Sequence, residues 1–514
     1  RSVARNRGMR CFLIVMALAA CLGCSRGGPE KAPAAGDAPD LRIAVVTDLK
    51  GYLEPCGCTS NPLGGIDRLA AQVKMLRKEP APVAFLLAGD TFFDVAALEP
   101  AREDQALRNA TTLAGILQQL DADAILPGER DRAQPAENLD ALREASGVAW
   151  LAMGQGSETL PLQMGELRVA VVGVAPRAER NAVRAEVERA RAKSDLVIAL
   201  VSGSRRDANR IGALEGVDFV LQGGLDQDAP MPPRPAGDGW VLHASRQGQG
   251  LTVVDVFRNK TDEPFEDRSD WSRTEREAQL ERQIDDLSAK ISDWEASGDV
   301  DPADLSSQRE RLAYLEAERK ALAAPSVQAV GNSFFARWVE LPKSASSDRE
   351  VSKLMRKHDK AVNDANRVAF AGLKPPPLGP NDIAYVGSQT CSTCHMEAFM
   401  WWRNSRHGVA YMTLQKRNKE YNLDCVGCHV TGYGQPGGST VTHNLDRALV
   451  NVGCESCHGP GAAHSANPEV SILRDTPEST CLACHNEQHS DLFDYEAYRA
   501  QLVAPGHGLP TIQR

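Results

Sequence analysis

The sequence predicts a multidomain protein: an α/β layered domain, an α-helical hairpin, and a compact C-terminal domain of mostly irregular chain and short helices. Three observations carry this expectation. Short apolar runs ended by Asp or Gly alternate with helical periodicity from Leu41 to Phe257. A heptad seam then occupies the stretch from Trp271 to Ala324. Finally, none of the 13 cysteines lies between Cys58 and Cys391, whereas eight fall within Cys391 to Cys484. A chain of 514 residues exceeds one ordinary hydrophobic core, so several domains are the natural expectation. A net charge of −10 argues against nucleic acid as a partner, because such binders present a basic face.

Residues 1–21 read as a lipoprotein-type signal peptide. Arg1, Arg5, Arg7 and Arg10 precede the apolar run "CFLIVMALAA", which is too short for a lasting membrane span. "LAAC" ends on Cys21, the expected lipidation site, with Cys24 a poorer alternative. Several acyl chains on one cysteine would hold the protein to a membrane without crossing it. Residues 22–40, rich in Gly, Pro and Ala, read as a flexible tether. The expected location is therefore the bacterial cell envelope, on the exported side of a membrane.

The α/β layered domain is expected over 41–258. "LRIAVVTD", "PVAFLLAGD", "LRVAVVGVA", "SDLVIALVSG" and "VDFVLQGG" are buried-strand patterns, and "GIDRLAAQVKMLRK" places Leu69, Val73 and Leu76 on one helical face. Functional loops should then lie at the strand ends. The hairpin follows over 259–325. Leu280, Ile284, Leu287, Ile291 and Trp294 form one seam; Leu305, Leu312, Leu315 and Leu322 form the other, after a start at Asp301, Pro302 and Asp304. The hairpin is a candidate self-association arm. Residues 326–383 are expected to connect: a strand, a helix opened by the capping-box pattern "SDRE" at Ser347 to Glu350, and the polyproline-type spacer "LKPPPLGPND". The last domain is expected over 384–514.

That domain repeats one pattern four times: "CSTCH" (Cys391, Cys394, His395), "CVGCH" (Cys425, Cys428, His429), "CESCH" (Cys454, Cys457, His458) and "CLACH" (Cys481, Cys484, His485). Two thiols one turn apart can add to the two vinyl groups of one porphyrin, and the adjoining histidine then supplies iron with its proximal nitrogen. Zinc could use the cysteine pairs, and disulfides could consume all eight, but neither explains a histidine behind every pair. The expectation is four covalently bound c-type haems. Distal ligands are sought among His407, His443, His464, His489 and His507; Met396, Met400 and Met412 are alternatives that would raise a potential. Haems packed together replace the side-chain core so short a segment lacks and form a wire for electrons.

"YVGSQTCSTCH", "WRNSRHGVA", "CVGCHVTGYGQPGG", "NVGCESCHGPGAAH" and "APGHG" resemble the cytochrome c-554-type tetrahaem family over roughly residues 384–510. The resemblance implies a haem-packed fold, electron transfer with redox partner proteins, and distal roles for His407, His464 and His507. It leaves His443 and His489 to compete for the fourth position. Some family members keep one haem five-coordinate, which leaves an open iron as an alternative.

"VVTDLKGYLEP", "GGIDRLAAQVKMLRK", "LLAGDTFFD", "LPGERD" and "VDFVLQGGLDQ" resemble the calcineurin-like metallophosphoesterases of the 5′-nucleotidase branch. That family clamps phosphate with two metals held by Asp and His ligands. Here only Asp48 and Asp90 match. Lys50 replaces one histidine, Glu129 and Arg130 replace an Asn-His pair, Ser202 or a neighbour replaces another, and Leu225 and Gln227 replace His-x-His. His243 alone remains, just beyond the last ligand position. The implied dimetal centre is therefore expected to be lost, and the domain to serve in binding or docking. An active metal-dependent phosphoesterase is the alternative. A second alternative is a redox enzyme acting at an open haem or at Cys56 and Cys58, a candidate redox pair on the loop after the first strand. A structural disulfide, an isolated metal or no pairing are the blander options for those two cysteines.

Overall fold

The computed structural model describes residues 38–55, 62–225, 230–259, 263–297, 302–322, 331–444, 447–486, 489–490 and 493–502. The expectations for Cys21, Cys56, Cys58, Gln227 and His507, and for the signal peptide and nearly all of the tether, fall outside the described residues.

Period-two burial builds the centre of the α/β region. In β1 (Leu41–Thr47), Leu41, Ile43 and Val45 face one core while Ala44 and Val46 face another. β1 pairs in parallel with β2 (Val83–Gly89), which is followed by β3 (Ala124–Pro127) and β4 (Ala149–Trp150). The second sheet contains β5 (Ser157–Met164), β6 (Leu167–Val174), β7 (Leu196–Ser202), β8 (Phe219–Gly223), β9 (Met231–Ala236) and β10 (Gly239–His243). Returning to the first sheet, β11 (Gly250–Phe257) runs antiparallel to β1, and β12 (Glu266–Asp267) and β13 (Ser333–Glu340) extend its edge in the order β12-β13-β11-β1-β2-β3-β4.

The two sheets pack face to face through Ile43, Leu86, Val171, Ile198 and Phe219. Helices cover the outer faces. On the first lie α1 (Ile66–Leu76) and α2 (Glu103–Gln119), followed by the short α3 (Glu129–Arg132) and by α4 (Ala136–Ser146). On the second lie α5 (Arg180–Arg191) and α6 (Arg205–Gly212). The α1 face is the expected one: Leu69, Val73 and Leu76 are all buried.

The hairpin forms as α7 (Asp270–Ser297) and α8 (Pro302–Leu322), its seam closed by Leu280, Ile284 and Leu315. Among the described residues no helix is long and apolar enough to cross a membrane.

Residues 326–383 do more than connect. β13 pairs with β11 over eight residues, so the hairpin is an insertion between two strands of one sheet. The helix after it, α9 (Arg349–Ala369), packs on α1 and α2 through Val351 and Met355. Asp348 rather than Ser347 caps it, accepting from the Val351 amide at 3.0 Å. The reason is tertiary: the same carboxylate meets Lys74 of α1 at 2.8 Å, which ties the cap to the docking of α9.

The C-terminal segment is mostly turns and helices of four to eight residues, as expected. It lies against α2 and α9 and forms one compact unit with the α/β region.

Candidate functional site

Each cysteine–histidine motif occupies a short helix or turn, which puts its cysteines a turn apart and its histidine at the end. Helix Cys454–His458 shows the build. Glu455 is buried, and its carboxylate accepts from the amides of Val386 at 3.0 Å, Gly387 at 2.7 Å and Gly461 at 2.7 Å. One side chain thus binds the entry to the first motif, the third motif and the glycine bend before His464. The sequence reading missed Glu455; its burial inside so polar a motif leaves no periodic signal.

Two histidine pairs cross between motifs. His395 of the first motif faces His464 with ring centroids 6.4 Å apart, and His485 of the fourth faces His407 at 6.2 Å. Two imidazoles on opposite axial positions of one metal, each bonded at about 2.0 Å, have centroids roughly 6.3 Å apart. The spacing fits a bis-histidine iron in both places. Ring orientation is fixed too. Nδ1 donates to Ala410 O from His429 at 2.8 Å, to Leu473 O from His458 at 2.7 Å, and to Val470 O from His464 at 2.8 Å. A histidine that gives its Nδ1 proton to a carbonyl carries its lone pair on Nε2, the tautomer a metal takes. Burial pushes the pKa values of His407, His429 and His485 down, which favours that neutral form.

The sulfurs also meet between motifs. Cys391 lies beside Cys454, Cys428 beside Cys484, and Cys457 near Cys481. Neighbouring motifs therefore run first, third, fourth, second. None of the eight motif cysteines forms a disulfide. His489 lies with Cys425, Cys428 and His429 along one cavity. His443 sits in a turn closed by the Thr440 amide on its carbonyl and lines neither ring pair nor that cavity. Met396, Met400 and Met412 are exposed.

The second predicted site lies where β1, β2 and β3 end. Asp48 and Lys50 both adopt positive φ (51° and 54°), a strained turn for residues with a Cβ. Asp48 is buried; its carboxylate accepts from the Asp90 amide at 3.0 Å and the Gly224 amide at 2.9 Å. Asp90 accepts from the Arg130 amide at 2.8 Å and pairs with the Arg130 guanidinium at 3.3 Å. A Cβ at Gly89 would lie 2.2 Å from the Asp48 carboxylate, and one at Gly128 would lie 2.2 Å from that of Asp90. The glycines thus close both carboxylates in. Burial raises the Asp48 pKa to about 7, against the pull of the Gly224 and Asp90 amides. Burial raises that of Asp90 as well.

This donor set does not fit a dimetal centre: two carboxylates already hold backbone amides and an arginine, and the Lys50 charge acts on both. His243 is buried on β10 with Nδ1 against Gln222 O at 2.9 Å, and burial pushes its pKa down. Asp131, which the sequence reading did not single out, is wholly buried and accepts from the amides of Thr91 (2.7 Å), Phe92 (2.9 Å) and Phe93 (3.0 Å). It shapes the loop after β2. Ordinary position in a short polar stretch, "GERD", hid it.

Comparisons with known proteins bear on both regions. Residues 390–459 match the family described as cytochrome c554 and c-prime. Cytochrome c-554 of Nitrosomonas europaea is 37% identical over 95 residues, covering 16% of this chain and 40% of that one. The chain thus spans less than half the length of that relative. Among solved structures, similarity extends to a 5′-nucleotidase precursor from Thermus thermophilus (13% identity, TM-score 0.41, 68% of this chain and 62% of that one). It extends also to calcineurin-like phosphoesterase YfkN from Bacillus subtilis (15% identity, TM-score 0.35, 43% and 86%). What the α/β region does rests on its own residues.

Proposed function

We propose that this protein carries electrons in the cell envelope through four c-type haems, held at Cys391/Cys394, Cys425/Cys428, Cys454/Cys457 and Cys481/Cys484. His395, His429, His458 and His485 would supply the proximal nitrogens, and His464 and His407, which face His395 and His485, would supply second ligands. The observation that carries this reading is the pair of cross-motif histidine contacts at 6.4 and 6.2 Å. Zinc sites or disulfides would give no reason for two imidazoles to face each other at that spacing.

Haem bound at such sites supplies one-electron storage and transfer. The chain's own part is to fix the imidazoles, through Ala410, Leu473 and Val470 carbonyls, and to set the order of motifs along which electrons pass. Redox partner proteins deliver and remove them. Lipidation at Cys21 tethers the protein to a membrane, and the α/β region, with Lys50 and Arg130 where metal ligands would stand, is a docking module rather than a hydrolase.

The test is a pyridine haemochrome count joined to the intact mass of protein from a host able to attach haem. Four haems per chain are expected. Colourless protein with the eight sulfurs bridged or holding zinc would refute the reading.

A further inference from the structure

A cavity of about 860 Å³ lies between the C-terminal segment and the α/β region. Cys425, Cys428 and His429 line one side of it, and Tyr52, Phe93 and Met355 line the other. Its volume is that of a site for a sizeable ligand. The α/β side comes from the loops that follow β1 and β2 and from the helices α2 and α9.

The junction around the cavity is built rather than incidental. Gln105 of α2 bonds Asp424 at 2.8 Å and Asn422 at 3.2 Å, and accepts from the Leu423 amide at 3.0 Å. Asn366 of α9 donates to Gln105 at 2.7 Å and to Tyr421 O at 2.9 Å, while Asn363 accepts from the Tyr421 amide at 2.8 Å. These contacts fasten the residues just ahead of Cys425. Buried Lys419 completes the join, meeting Glu54 at 2.6 Å and Asp359 at 3.2 Å. His358, also on the wall, has Nδ1 on Thr112 Oγ1 at 2.8 Å and Nε2 on Asn109 Oδ1 at 2.9 Å, so both nitrogens are engaged and it serves as wall, not ligand.

We infer that the α/β region is one half of the pocket for the haem held by Cys425, Cys428 and His429, and that its loop charges set that haem's potential. This rests on the haem attachment proposed above and gives the α/β region its role: its docking partner is the cytochrome segment of the same chain.

The perturbation is Glu54→Gln in the full-length, haem-loaded protein, which keeps an acceptor for Lys419 and removes one negative charge. A unit charge on the order of 10 Å from a redox centre, at an effective dielectric near 20, changes the reduced-to-oxidised ratio by about tenfold. In a potentiometric titration followed optically, one haem of four should become easier to reduce by that factor, about 59 mV for one electron. His429→Met, at that haem's own motif histidine, marks which wave belongs to it. A marked wave that does not move, or four waves that move alike, overturns the inference. Asp94→Asn, on the exposed rim of the same wall, should give a smaller shift of the same sign and serves if Glu54→Gln fails to fold. Colourless protein would instead overturn the electron-carrier reading and this one with it.

Discussion

Lys419→Met is the sharpest perturbation of the join between the two regions. Lys419 is about one-tenth exposed and lies against two carboxylates, Glu54 at 2.6 Å and Asp359 at 3.2 Å, whose side chains are 35% and 12% exposed. Burial alone would lower the lysine pKa, but the two carboxylates outweigh it and hold the pKa above the ordinary value. Burial raises the Asp359 pKa to about 6, against the pull of Lys419. Removing the cation leaves two like charges facing each other with one of them buried. Breaking a buried pair in this way costs about 3–5 kcal/mol, and the partial exposure of Glu54 places the expected loss near about 3 kcal/mol.

The pH dependence gives the sign. Asp359 has a folded pKa above its unfolded value of 3.8, so the folded state binds more protons between those pH values. Its contribution is favourable at low pH and is lost as pH rises through about 6. Without Lys419 the folded pKa rises further, so the variant should lose more stability relative to the parent at pH 8 than at pH 5. The assay is denaturant unfolding of the haem-loaded protein at both pH values, followed by far-UV circular dichroism. A loss within about 0.5 kcal/mol at pH 8, the range of ordinary surface changes, would refute the buried-junction argument. A loss larger at pH 5 would refute the sign.

Three further outcomes are expected. His464→Met should convert the first-motif haem to His/Met ligation and raise its potential, seen by electron paramagnetic resonance and redox titration, whereas His443→Met should leave every haem unchanged. Asp131→Asn should cost about 2 kcal/mol in denaturant unfolding, because an amide oxygen replaces a carboxylate that accepts three backbone N–H groups around Phe92. Nucleotide hydrolysis should be absent from protein supplied with manganese; a chelator-sensitive, metal-restored activity would contradict the reading of Lys50 and Arg130 as replacements for metal ligands.

Local pattern made much of this protein legible. The period-two run of Leu41, Ile43 and Val45 and the helical face of Leu69, Val73 and Leu76 are statements about neighbours in sequence, and burial followed them. The hairpin seam at Leu280 and Ile284 was readable for the same reason. The motif histidines were readable because chemistry demands a fixed spacing. By contrast, β13 looked like a connector because its partner, β11, lies across an inserted hairpin of more than fifty residues. Glu455, Asp131 and Lys419 look like ordinary polar residues until distant segments of chain converge on each.

The sequence by itself determined which residues carry the paired-cysteine and histidine spacing and which strands and helices form, since both depend on spacing along the chain. Only the tertiary structure decided which histidine faces which, and that the second motif opens onto loops of the α/β region. Those are distances between residues far apart in the chain. They are set by which buried polar groups find partners, and an unpartnered charge at such a junction costs more than any local propensity can recover.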